Sequence, residues 1–218
     1  MTGTPWTFGA EPRTQTTVAA GLLCRVAGLL QALEDEEPAV DRLIADLEQA
    51  EAALSHLVPA DPTPRVGPAA DGDGRLYLDH ARHVGAFNPG FPEYSIAVDG
   101  DRAAGTVTFP LAYEGPPSLV HGGFLALLFD CVVQHHNCDV GVAGKTTSLA
   151  LRYRRPAPLL APLRFELERT AGDGRIRSTG RLYRIGDTDN RVLCEAEVDA
   201  VAGDRSALPA VSPRRRPP

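Results

Sequence analysis

Two segments near the start of the chain carry a helical pattern, and residues 16–58 are predicted to form two helices. Apolar residues recur in both at spacings of three and four, the period of an amphipathic helix. The first stripe comprises Val18, Leu22, Val26, Leu29, Leu30 and Leu33, and the second, after Pro38, comprises Val40, Leu43, Leu47, Ala50, Leu54 and Leu57. We expect an antiparallel helical hairpin. Since so small a unit makes no core alone, its stripes must bury against the rest of the chain or a second subunit.

The second half of the chain alternates between apolar and polar positions. Such alternation predicts strands with one buried face, at residues 102–113, 146–153, 163–168, 176–185 and 192–201. The last three are separated by short turns, which favours a meander. Residues 122–137 are apolar on nearly every side, which is typical of a buried helix. The pattern predicts an α+β fold in which an antiparallel sheet wraps one helix.

Composition divides the chain into further parts. Residues 59–75 are rich in Pro, Gly and Asp, as expected for a linker, and the tail from 204 to 218 has the composition of a disordered segment. The predicted organisation is an N-terminal arm (1–15), the helical hairpin (16–58), the linker (59–75), the main domain (76–203) and the tail (204–218).

Charge and composition exclude several classes of function. The formal net charge is −6, whereas nucleic-acid binders are usually basic. No stretch approaches the ~18 apolar residues that a membrane span needs, and residues 1–10 do not read as a signal peptide. The four cysteines are scattered, which favours reduced thiols in a cytoplasmic protein over disulfides or zinc. We expect neither nucleic acid nor membrane as a partner.

The start of the central helix has the features of an oxyanion site. Pro116 and Pro117 impose an extended approach, and His121-Gly122-Gly123 then opens the helix. Amides in a first helical turn have no intrahelical partner and carry partial positive charge. Glycines leave such amides uncovered for a ligand oxygen. We therefore predict that Gly122 and Gly123 face a developing oxyanion.

Asp130 lies on an otherwise apolar part of the same helix. An unpaired buried charge is costly, so this carboxylate either pairs with an arginine or a strand, or serves as general base or nucleophile in an apolar cleft. It follows His121 by nine residues, about 13 Å at ~1.5 Å per residue. One helix cannot bring both ends to one reacting carbon, whereas a two-fold dimer can.

These motifs together resemble a known family. The sequence HGG, an Asp nine residues after its His, and the run TTSLALRYRRPAPL are similar to hot-dog-fold acyl-CoA thioesterases of the PaaI-like branch. The segments FNPG (87–90) and YEGPP (113–117) are also similar to that branch. The resemblance covers about residues 80–203, and the helical hairpin is an addition to the minimal fold.

The resemblance implies a hot-dog fold and an active site at a homodimer interface. The Gly122 amide would polarise the thioester carbonyl beside His121, and Asp130 of the opposite subunit would activate water or attack directly. Thr146, or Thr147 as an alternative, would hold the water or the carboxylate. The substrate would be an acyl-CoA, with no cofactor beyond the coenzyme A that it carries.

The sequence departs from the family at one position. Some relatives place an Asn or Gln six residues before the His, where this chain has Gly115. Glu114 or Asn88 are the candidates to replace that amide.

Other polar residues leave alternatives open. Arg152, Arg154 and Arg155 form either a solvated edge or a contact with the phosphates of coenzyme A. The run from Gln134 to Asp139 contains residue types that bind metals, but its spacing matches no motif and we expect no metal. The alternatives to a thioesterase are a non-catalytic acyl-CoA binding or sensing protein and, less favoured, a hydratase. The assembly is a dimer or a dimer of dimers.

Overall fold

The computed structural model describes residues 6–10, 12–57, 75–78, 88–141 and 144–202. The predicted tail and almost all of the predicted linker lie outside these residues, as does Phe87 of the FNPG segment. The predicted domain boundaries stay predictions.

A six-stranded antiparallel sheet forms the body of the protein. Its strands are β3 (Tyr94–Asp99), β4 (Arg102–Val107), β5 (Gly144–Tyr153), β6 (Leu163–Gly172), β7 (Arg175–Arg184) and β8 (Val192–Ala202). They run in the order β3-β4-β6-β7-β8-β5. The last three strands in the sequence are adjacent, so the predicted meander is confirmed.

One long helix, α3 (Gly122–Asp139), packs against the sheet. Its buried residues include Leu128, Phe129 and Val132, which are fully inaccessible and contribute to the core. The helix runs two residues further than predicted, to a second acidic residue, Asp139. It is also not buried all round, since Leu127 is 37% exposed. One face of α3 therefore remains open.

The strand predicted over residues 102–113 is shorter in the structure. It ends at Val107, and Leu111–Tyr113 form a 3-10 turn. Pro110, the last of the three residues between them, has no amide to give to a sheet ladder. Val107 and Phe109 are buried as their alternation indicates, but the chain turns before Leu111.

The two predicted helices are present as α1 (Thr14–Gln31) and α2 (Pro38–Leu57). α1 buries small residues rather than its leucines. Cys24 Sγ lies 3.6 Å from the hydroxyl of Tyr113, and Gly28 packs against the backbone of Ala112. Leu29 stays 67% exposed, and no residue of α2 is buried. The prediction that the leucine stripes are buried is therefore wrong for a single chain. Their burial against a second subunit stays a prediction.

A short parallel pair was not foreseen from the sequence. β1 (Trp6–Ala10) pairs with β2 (Arg75–Leu78). The strands are only five and four residues long, too short for alternation to distinguish them from loop.

The sheet has a long free edge at β5. In the described part of the chain this ten-residue strand pairs only with β8. None of the four cysteines forms a disulfide bond. None of the described helices is long and apolar enough to cross a membrane.

Candidate active site

The N-terminus of α3 presents one free amide. His121 is the N-cap, with an extended backbone (φ −63°, ψ 133°), and its Nδ1 accepts a hydrogen bond from the Gly123 amide at 3.0 Å. The Phe124 amide donates to the His121 carbonyl at 2.9 Å. No described residue accepts from the Gly122 amide. Of the two amides predicted to face an oxyanion, Gly122 is therefore available, whereas Gly123 is occupied by His121.

The turn before α3 explains why Gly115 carries no side chain. A Cβ at Gly115 would lie 2.8 Å from the Cα of His121 and 2.9 Å from its Cβ, closer than real Cβ contacts. Glu114, a candidate to replace the missing amide, instead closes the turn by accepting from the Ser118 amide at 2.6 Å. In this conformation of the turn, position 115 therefore has no room for a side chain.

Tyr153 holds the same helix end from outside. Its hydroxyl donates to the Gly122 carbonyl at 3.0 Å, and its ring would lie 3.0 Å from a Cβ at Gly122. In the sequence, Tyr153 stands out only as part of a motif, which does not reveal this contact. Its place at the end of a strand gives no signal that the side chain reaches back to α3.

Asp130 is held by Thr146, which is held in turn by Gln134. Thr146 Oγ1 donates to Asp130 Oδ1 at 2.7 Å, and Gln134 Nε2 donates to Thr146 Oγ1 at 2.7 Å. No described arginine or lysine lies within salt-bridge distance of Asp130, so pairing with an arginine does not account for it. Asp130 Oδ2 makes no hydrogen bond to a described residue, and the carboxylate is half-buried.

A bulge in β5 directs the side chains of the two candidate threonines to different partners. The register with β8 shifts between Thr146 and Ser148. Thr147 Oγ1 donates to the carbonyl of Asp199 at 3.1 Å, away from the carboxylate. The structure therefore brings Thr146 to Asp130 and places the alternative, Thr147, on the backbone of β8.

Cys131 follows Asp130 and is not a competing nucleophile. Burial, and secondarily the charge of Asp130, raise the pKa of this thiol to about 12. A thiolate rather than a thiol is the reactive form of cysteine, so Cys131 stays protonated and inert near neutral pH.

The residues with metal-binding side chains diverge. Gln134 reaches Thr146, His135 Nδ1 lies 2.7 Å from the Tyr94 hydroxyl, and His136 Nε2 lies 2.8 Å from the Gly100 carbonyl. Consecutive helical side chains face different directions, and no group of three metal-binding side chains is found among the described residues.

The three predicted phosphate-binding arginines have partners on β8 or at its start. Arg154 forms a salt bridge with Glu195 at 2.7 Å, and Arg155 donates to the carbonyl of Val192 at 2.9 Å. Arg152 lies 3.9 Å from Glu197. All three are exposed, so these weak surface pairs leave their contact with coenzyme A a prediction.

Asn88 lies elsewhere. Its Oδ1 accepts from the Gly90 amide at 2.9 Å, closing a local turn. It lines a cavity of about 1000 Å³ between α1, β3, β4 and the C-terminal end of α3. None of the described residues that line this cavity is Gly122, Asp130 or Thr146, so the structure does not bring Asn88 to them.

The free amide and the carboxylate cannot meet on one reacting carbon within a single chain. Gly122 and Asp130 are eight residues apart on one continuous helix, about 12 Å at ~1.5 Å per residue. Each of the two groups can nevertheless perform its own part of the chemistry. The amide can stabilise an oxyanion, and Oδ2 of the oriented carboxylate can accept a proton.

Comparison with solved structures supports the resemblance that the motifs carry. A crystallised thioesterase superfamily protein is 27% identical to this chain, with a TM-score of 0.69, and the match covers 92% of this chain and 98% of that one. A hypothetical thioesterase from Streptococcus pneumoniae, crystallised with coenzyme A, is 19% identical over 50% of this chain and 88% of that one, with a TM-score of 0.46. The PaaI protein of the E. coli phenylacetic acid degradation operon is 15% identical over 51% of this chain and 80% of that one, also with a TM-score of 0.46. No protein-family model matches the chain, and a search of curated proteins finds no match.

The first of these matches extends beyond the hot-dog domain. The match leaves 8% of this chain uncovered. That share corresponds to fewer residues than α1 and α2 together contain. The helical segment is therefore partly shared with that protein, although the sequence motifs alone extended only over residues 80–203. The chain has the hot-dog fold and resembles the thioesterase superfamily over most of its length.

Proposed function

We propose that this protein hydrolyses the thioester bond of an acyl-CoA to a free acid and coenzyme A. The single observation that carries the proposal is the oriented carboxylate of Asp130 on the same helix as the free amide of Gly122. The likeness to a thioesterase superfamily protein supports a thioesterase-like activity. Coenzyme A as the carrier follows from the sequence resemblance.

The Gly122 amide stabilises the negative charge that develops on the thioester oxygen. His121 and Tyr153 fix this helix end through the bonds to the Gly123 amide and the Gly122 carbonyl. The partial positive charge of the helix N-terminus adds to the effect. A donor fixed before the reaction needs no reorganisation when the charge appears.

Asp130 acts on the water that attacks. Its Oδ1 is held by Thr146, so Oδ2 takes the proton as the water oxygen bonds to the carbonyl carbon. The tetrahedral intermediate then expels the thiolate as the C–S bond breaks. The proton held on Oδ2 passes to the thiolate, which restores the Asp130 carboxylate. Direct attack by Oδ2 is the alternative, and transfer of solvent ¹⁸O into Asp130 in a single turnover would distinguish it.

The complete site requires two copies of the chain. Because about 12 Å separates Gly122 from Asp130, the amide of one protomer works with the carboxylate of its partner. The long free edge of β5 supports such pairing, since exposed edge strands are normally covered or paired. β5 carries Thr146 and Tyr153, so edge pairing at β5 would bring both components to the interface.

A thiol-release assay on short, medium, long and aromatic acyl-CoAs tests this function. We expect release by the wild-type protein, and a loss of about two orders of magnitude or more in Asp130→Asn, whose folded state and oligomer size remain unchanged. Full activity in both Asp130→Asn and Asp130→Ala would refute the proposal.

A second candidate is an acyl-CoA binding protein without turnover. The closed position at Gly115 favours it, because no amide side chain fits there to orient a water molecule. Tight acyl-CoA binding by the wild-type protein, without thiol release from any member of the panel, would establish this alternative.

A further inference from the structure

We infer that Gln134 is a positioning residue for the proposed hydrolysis, acting on Asp130 through Thr146. Its amide nitrogen lies 2.7 Å from Thr146 Oγ1, which lies 2.7 Å from Asp130 Oδ1. The inference rests on the proposed function. It assigns a role to a side chain that the sequence analysis considered only among metal-binding residue types.

The chemistry of the three groups fixes the direction of both hydrogen bonds. An ionised carboxylate only accepts, and a threonine hydroxyl has a single proton. If Thr146 gives that proton to Asp130, its oxygen can only accept from its other neighbour. The Gln134 amide NH₂ is the group that can donate there, so its carbonyl oxygen must point away from Thr146.

Gln134 thereby removes the rotational freedom of the Thr146 hydroxyl. Thr146 is exposed in the single chain, and without Gln134 its proton could turn to water or to substrate. With Gln134 in place, the hydroxyl oxygen accepts one hydrogen bond and its proton stays directed at Asp130 Oδ1. Linked hydrogen bonds also strengthen one another. The Asp130 carboxylate is thus oriented with Oδ2 left for the water.

Local geometry makes this arrangement possible. Asp130 and Gln134 are four residues apart on α3, the spacing at which side chains lie on one helix face. The bulge in β5 sets Thr146 apart from Thr147, which turns to the β8 backbone. Helix spacing and bulge together place one hydroxyl between two side chains of α3.

A double-mutant cycle tests the role. Gln134→Met removes the donor with similar side-chain length, Thr146→Val removes the hydroxyl, and Gln31→Met makes the same change at an exposed position of α1. We expect Gln134→Met to lower kcat roughly threefold to tenfold with KM unchanged, the effect of one neutral hydrogen bond. Thr146→Val should lower kcat roughly tenfold or more, and adding Gln134→Met to it should cause no further loss. Gln31→Met should match the wild-type protein.

The outcomes separate the two claims. The role of Gln134 is refuted if Gln134→Met lowers kcat by the same factor in the wild-type and the Thr146→Val backgrounds, or if it does not lower kcat at all. The proposed function stands in either case. If the wild-type protein releases no thiol from any acyl-CoA, the proposed function fails and this role fails with it. Unfolding free energies of the same four proteins of the cycle report separately whether the two side chains are coupled in the folded state.

Discussion

Replacing Gly122 with proline removes one hydrogen-bond donor and adds side-chain atoms beside Tyr153. Proline is well tolerated at the first position of a helix, where Gly122 lies. The preceding residue, His121, already has the extended backbone (φ −63°, ψ 133°) that proline demands of its predecessor. Since the Gly122 amide has no acceptor among the described residues, no structural hydrogen bond is lost.

Alanine at the same position is the matched control. Both substitutions add a Cβ about 3.0 Å from the exposed Tyr153 ring, but alanine keeps the amide. Losing one oxyanion donor typically costs ~2.7–4 kcal/mol of transition-state stabilisation, or ~10²–10³ in kcat. We expect the kcat of thiol release to be lower in Gly122→Pro than in Gly122→Ala by this factor.

Circular dichroism and melting temperature establish that both variants are folded before their rates are compared. If folded Gly122→Pro and Gly122→Ala release thiol at equal rates, the Gly122 amide does not stabilise the oxyanion and the reasoning is refuted.

Two further predictions concern packing and cysteine chemistry. In Gly105→Ala the Cβ would lie 1.9 Å from the Ser95 carbonyl oxygen and 2.3 Å from the Phe165 ring, so urea unfolding should show a loss of ~1–3 kcal/mol or more; an unchanged midpoint would contradict the packing of β3 on β4. Because the pKa of Cys131 is raised to about 12, alkylation of this thiol by iodoacetamide at pH 8 should be slow, as measured by mass spectrometry of its peptide. Asp130→Asn removes a charge that raises this pKa, so it should accelerate the reaction, and slower alkylation would contradict that contribution.

Much of the fold could be predicted from the pattern of the sequence. Alternation in residues 163–201 predicts β6, β7 and β8, because each strand buries one face against α3. The pattern does not show where every element ends or which residues of a helix are buried. Periodicity does not reveal where Pro110 turns the chain. It also does not reveal that α1 buries Ala20, Cys24 and Gly28 rather than its leucines.

The candidate site could be predicted only in part, for a physical reason. The Gly122 amide and Asp130 lie within one segment, where helix geometry relates residues that are near in sequence. The contact of Tyr153 with Gly122 and that of Gln134 with Thr146 join different elements. They depend on how β5 packs against α3, and no local pattern encodes that packing. Gln134 was noticed for its residue type, but only the structure places Thr146 beside it.

The most direct test of the central claim is subunit complementation between two inactive variants. Gly122→Pro lacks the amide and Asp130→Asn lacks the base. If each site combines Gly122 of one protomer with Asp130 of the other, a mixed dimer contains one intact site and one doubly defective site. After unfolding and refolding an equimolar mixture, about half of the dimers are mixed, so thiol release should recover to about one quarter of the wild-type rate. Recovery of that size is the predicted result. No activity above that of the separate variants, with mixed dimers present, would contradict a site shared between two chains.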